Sequence, residues 1–142
     1  MKKSLFFISL MISSIFANEN KVMTVYKSPY CGCCKDWIEI MKSKGFEVKT
    51  IETNDVNTIK QKAGLQAGQT SCHTAFIDGY VIEGHVDYSA IKKMLDEKPD
   101  ILGITVPGMP IGSPGMEQGN MKQSYNVLYV NKDGSTGIYE KH

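Results

Sequence analysis

No apolar run in this chain is long enough to cross a bilayer: Leu5 to Phe16 covers about a dozen residues, where a spanning helix needs roughly 20. There is no basic stripe. Lysines and acids alternate along the chain, with Lys+Arg 16 against Asp+Glu 15, which disfavours nucleic acid as a partner on electrostatic grounds. No cysteine lies near Ala17, so a lipid-modified amino terminus is not expected. The cysteines do not form two separated CxxC pairs, the usual arrangement for tetrahedral zinc. There is no internal repeat.

What the amino-terminal stretch does resemble is a secretory leader. Lys2 and Lys3 form a basic start, Leu5 to Phe16 an apolar core, and Ala17 precedes polar Asn18. The expected organisation is a signal peptide over 1–17 and one domain over 18–142, without a membrane anchor once the leader is removed. Loss of Lys2 and Lys3 turns the formal net charge from +1 to slightly negative.

Lys21 to Tyr26 reads as a strand. A helix should follow, with Cys34, Trp37, Ile38 and Met41 forming an apolar stripe and Gly45 stopping it. Phe46 to Ile51 gives a second strand, which makes a strand–helix–strand opening suited to a parallel crossover. Asp55 is placed to cap a short helix ended by Gly64. Thr74 to Ile77 and Tyr80 to Glu83 flank Asp78-Gly79, a hairpin signal. Asp87 precedes a helix from Tyr88 to about Glu97. This order predicts an α/β, thioredoxin-like fold. Gly103 to Gly119 alternates prolines with glycines and is expected as a shaped loop without regular structure. Tyr125 to Val130 and Gly137 to Tyr139 bracket Asp133-Gly134 as a terminal hairpin, and His142 is expected as a frayed end.

Chemistry concentrates on Cys31, Cys33, Cys34 and Cys72. A secreted chain with four cysteines suggests two disulfides, but a bridge between adjacent Cys33 and Cys34 would be strained. One link from the cluster to Cys72, with Cys31 joined to Cys33 or Cys34, remains open. Cys33 and Cys34 fall at the start of the predicted helix, beside Lys35, where the helix dipole favours thiolates. Cys31 and Cys34 are spaced for dithiol redox chemistry, which leaves Cys33 superfluous. Cys33 and Cys34 should diverge by about 100° on a helix, so they suit neighbouring ions better than one. Thiolates bridge metals and soft Cu(I) favours Cys and Met, which points to several copper ions sharing four sulfurs. Cys72 occupies the place before the third strand where a thioredoxin-like fold carries a shielding cis-proline.

Weaker metal candidates are His73, weighed evenly between ligand and ordinary hydrogen-bonded histidine, and His85, read first as a loop histidine. Met109 and Met116 are read first as packing and second as thioether lids. Met121 is read as packing, and Met41, Met94 and Trp37 as core.

Five segments carry a family likeness: Lys27-Ser28-Pro29, Cys31-Gly32-Cys33-Cys34-Lys35-Asp36-Trp37, Ser71-Cys72-His73-Thr74-Ala75, Glu83-Gly84-His85-Val86, and Val106-Pro107-Gly108-Met109-Pro110 through Glu117. Together they resemble the CopG family of periplasmic copper-resistance proteins. The resemblance implies a thioredoxin-like fold and a copper cluster on Cys31, Cys33, Cys34 and Cys72. It also implies a role in copper tolerance by Cu(I)/Cu(II) interconversion, with other periplasmic copper-handling proteins as partners. A thiol-disulfide oxidoreductase and a disulfide-stapled structural domain are the competing readings.

Overall fold

β1 (Val22–Lys27), α1 (Gly32–Ser43) and β2 (Glu47–Glu52) open the computed structural model, which describes residues 21–142. The expected leader lies outside the described residues. β1 and β2 pair in parallel from Val22 opposite Glu47 to Lys27 opposite Glu52, so α1 is the crossover between them. Its stripe of Cys34, Trp37, Ile38 and Met41 is the buried face, as the spacing predicts.

α2 (Val56–Lys62) starts where Asp55 Oδ1 accepts the Thr58 N–H at 3.2 Å. A single 3₁₀ turn at Ala67–Gln69 follows. β3 (Thr74–Ile77) and β4 (Tyr80–Glu83) form the expected hairpin across Asp78-Gly79. α3 (Tyr88–Glu97) is capped by Asp87, whose carboxylate accepts from Ala90 N–H.

The Gly/Pro-rich segment does not lack regular structure throughout: its first three residues form β5 (Gly103–Thr105). Ile104 and Thr105 are β-branched and buried, and β5 pairs with β4 in parallel and with β6 (Asn126–Val130) in antiparallel. Gly103 is there for close approach, because a Cβ would lie 1.8 Å from the Val81 carbonyl oxygen. β7 (Thr136–Lys141) completes the terminal hairpin. His142 is not frayed. It exchanges backbone hydrogen bonds with Tyr125 at 2.9 and 3.1 Å and stacks on that ring, because β7 carries the pairing to the last residue.

The seven strands make one sheet in the order β2-β1-β3-β4-β5-β6-β7. The core joins Met23 and Val25 of β1 with Trp37, Met41, Ile82, Ile91, Met94 and Ile104. Trp37 is core, as expected, with its indole N–H donating to the Val86 carbonyl at 2.8 Å. Among the described residues no helix is long and apolar enough to cross a membrane.

For the site, the decisive pairing is β1 with β3. These strands are antiparallel neighbours with Tyr26 opposite Thr74. The carboxyl end of β1, which leads into α1, therefore lies beside the amino end of β3, which follows Cys72.

Candidate metal centre

Cys31 takes the N-cap position of α1, and Cys33 and Cys34 lie in its first turn. Cys72 arrives from the short connection between the 3₁₀ turn and β3. The four sulfurs converge: all lie within 4.8 Å of one another. The expected divergence of Cys33 from Cys34 does not keep their sulfurs apart.

Cys31 and Cys34 are joined as a disulfide, with their Cα atoms 5.3 Å apart, whereas Cys33 and Cys72 are free. Cys33 Sγ is 3.6 Å from Cys31 Sγ. Reduction of that one bond leaves four thiols facing one another.

Both candidate histidines reach the same place. Cys72 Sγ lies 3.0 Å from His85 Nε2 and 3.3 Å from His73 Nδ1. His85 is therefore not an ordinary loop histidine. It is fully buried, and the Pro114 carbonyl oxygen lies 2.8 Å from its Nδ1. A carbonyl only accepts, so the proton sits on Nδ1 and the Nε2 lone pair faces Cys72. His73 is also fully buried, its ring 4.5 Å from Trp37 and 5.1 Å from His85. Its Nε2 is buried without a hydrogen-bond partner among the described residues.

The electrostatics suit an uncharged nitrogen set. Burial holds the His73 imidazole well below its ordinary range, and His85 and Lys60 push it the same way. Burial also lowers His85, against opposing contributions from the Pro114 carbonyl and Glu117. Burial pushes the Cys72 thiol up to about 12, with Cys33 adding to the rise. A cation at the sulfur reverses that preference, because a coordinating thiol is deprotonated outright.

The Gly/Pro-rich segment closes over the cysteines. Gly115, at φ +84, sits so near α1 that a Cβ would lie 2.9 Å from Cys33 O and from Trp37 N. The Ser71 hydroxyl donates to the Gly108 carbonyl, and Gly108 N–H donates to Thr70 O. Met109 is exposed, and Met116 is half-buried next to Gly115. Met121 is exposed and does not take the packing role expected of it, because it lies in an irregular stretch that follows Gly119.

Two solved structures decide the relationship. Both are described as copper resistance protein CopG, forms 2 and 1. Each matches with a TM-score of 0.83 and 39% identity, covering 87% of this chain and 99% and 98% of theirs. The chain belongs to the CopG family. A family model described as a protein of unknown function, DUF411, matches residues 69–116, a span that holds Cys72, His73, His85 and most of the covering segment of this CopG relative. No curated protein matches. The cysteine cluster fits copper: thiolate and neutral imidazole are both good donors to it.

Sequence reasoning missed three contributors. The Pro114 carbonyl orients His85, Trp37 walls His73, and a buried trio of Lys60, Thr74 and Glu83 lies behind Cys72. The one sequence signal for the trio was an acid, Glu83, ending an otherwise apolar strand.

Proposed function

We propose that this protein, once reduced, holds Cu(I) as several ions shared among the thiolates of Cys31, Cys33, Cys34 and Cys72. His85 Nε2 serves as a nitrogen donor and His73 as the weaker candidate. The observation that carries the reading is the convergence of four sulfurs within 4.8 Å. Charge supports more than one ion. A single Cu(I) on four thiolates leaves a large negative charge in a half-buried pocket that already disfavours thiolate at Cys72. Further Cu(I) ions bridging the same sulfurs remove it.

The wider role is copper tolerance in the periplasm, reached after removal of the leader over 1–17, with Cu(I)/Cu(II) interconversion as the associated chemistry. Support for the compartment comes from the leader pattern, and support for the role from the copper resistance proteins to which the chain is similar. Met109 and Met116, within the covering segment, are candidates to lid the ions.

Anaerobic Cu(I) titration of the reduced protein tests the reading. More than one Cu(I) per chain is expected, with fewer in Cys33→Ser. A wild-type stoichiometry no greater than that of Cys33→Ser overturns the shared cluster.

The Cys31–Cys34 disulfide favours a second reading, a thiol-disulfide oxidoreductase. Cys31 is half-exposed at a cleft lined by Tyr30, Lys35 and Glu39, and Cys34 is buried behind it, as attacking and resolving sulfurs would be. Metal-free protein that catalyses reduction of a test disulfide selects this reading; copper retained with protected thiols selects the first.

A further inference from the structure

Behind the cysteines lies a buried ion pair with no part in the chemistry described so far. Lys60 of α2, 5% exposed, donates to Glu83 Oε1 at 2.5 Å and to Thr74 Oγ1 at 3.0 Å. The Thr74 hydroxyl donates in turn to Glu83 Oε2 at 2.6 Å. Glu83 is fully buried, and its Oε1 also accepts the backbone N–H of Ser71 at 2.7 Å. Ser71 immediately precedes Cys72, and Glu83 stands two residues before His85. One carboxylate thus ties the backbone that carries Cys72 to the strand that leads to His85.

Such a pair is weak evidence of stabilisation. A buried ion pair is commonly matched or bettered by apolar side chains of similar volume, and α2 already ends beside the apolar cluster of Ala63, Leu65, Val81 and Val130. What the pair supplies is an oriented acceptor. Residues 70–73 lie between the 3₁₀ turn and β3, and the Ser71 N–H is met by the Glu83 side chain in place of a strand carbonyl.

We propose that Glu83, held in place by Lys60 and Thr74, is a positioning residue for the metal centre. It fixes the Ser71-Cys72 backbone so that the Cys72 sulfur meets both the α1 cysteines and His85. Its copper readout rests on the metal-binding reading above, and its thiol readout does not. Outer partners of metal ligands characteristically change affinity by about 10–100-fold when removed.

Two double variants separate positioning from charge. Lys60→Met with Glu83→Leu removes the acceptor without leaving an unpaired buried charge. Lys60→Met with Glu83→Gln also removes both charges but keeps a side-chain carbonyl for the Ser71 N–H. In reduced, metal-free protein, alkylation of each cysteine is followed by mass spectrometry. The leucine variant should alkylate Cys72 several-fold faster than wild type with Cys33 unchanged, and should bind Cu(I) about 10–100-fold more weakly. The glutamine variant should recover both toward wild type. Ile91→Val, a core change in α3, serves as the control for general loss of stability.

Wild-type alkylation of Cys72 in the leucine variant overturns the proposal. So does equal loss in both double variants, or the same change in Ile91→Val. If the leucine variant does not fold, Thr74→Val removes one hydrogen bond from the carboxylate at constant shape. A several-fold faster Cys72 alkylation is then expected, and an unchanged rate overturns the proposal. If wild-type protein binds no copper, the metal reading fails while the alkylation arm still decides whether Glu83 positions Cys72.

Discussion

His85 Nε2 lies 3.0 Å from Cys72 Sγ although thirteen residues separate the two in sequence. Cys72 precedes β3 and His85 follows β4, so the β3–β4 hairpin brings its own two ends together. The Pro114 carbonyl then sets the tautomer that turns a lone pair toward the sulfur.

His85→Ala should therefore weaken Cu(I) binding by about tenfold or more, since loss of even an outer partner costs that much. Competition with a Cu(I) chelator measures it. Affinity equal to wild type would remove His85 from the donor set.

Trp37→Phe should destabilise the metal-free protein by about 1–3 kcal/mol, because the buried Val86 carbonyl loses its indole donor. Urea unfolding reads the change. Cu(I) stoichiometry should stay the same, as no ligand is removed.

Gly115→Ala should cost more than about 1 kcal/mol, since alanine meets both a positive φ and a 2.9 Å approach to Cys33 O. The added methyl pushes the covering segment off α1. Copper transfer to a chelator should become faster, as stopped-flow mixing would record. An unchanged transfer rate would mean that the segment does not limit release.

Oxidation should change the thiol count from four to two, with Cys33 and Cys72 still free and Cys31 linked to Cys34. The oxidised form should bind fewer Cu(I) ions than the reduced form. Differential alkylation, before and after reduction, checks the count and the pairing together.

Much of the fold was legible because its signals are local. The α1 stripe at Cys34, Trp37, Ile38 and Met41, the caps Asp55 and Asp87, and the Asp78-Gly79 turn each lie within a few residues of what they control. β5 was not legible. Three residues carry too little periodicity, and Gly103 reads as a breaker until Val81 is known to pass against it. The four cysteines were legible as a set by their number and by the break from a shielding proline. The tautomer of His85 was not, because it depends on a carbonyl twenty-nine residues further along. The Lys60–Glu83 pair joins α2 to β4 across twenty-three residues, a relation that no window of sequence displays.

The antiparallel register of β1 and β3, with Tyr26 facing Thr74, has a bearing on when metal can be captured. Before those two strands meet, the chain offers a triplet of thiols and a distant fourth, a far poorer chelate than the finished molecule. On the metal-binding reading proposed above, tight uptake would wait for maturation of the polypeptide, and seated copper would act as a clasp across that strand boundary, resisting heat and denaturant by an amount that grows with the logarithm of its affinity.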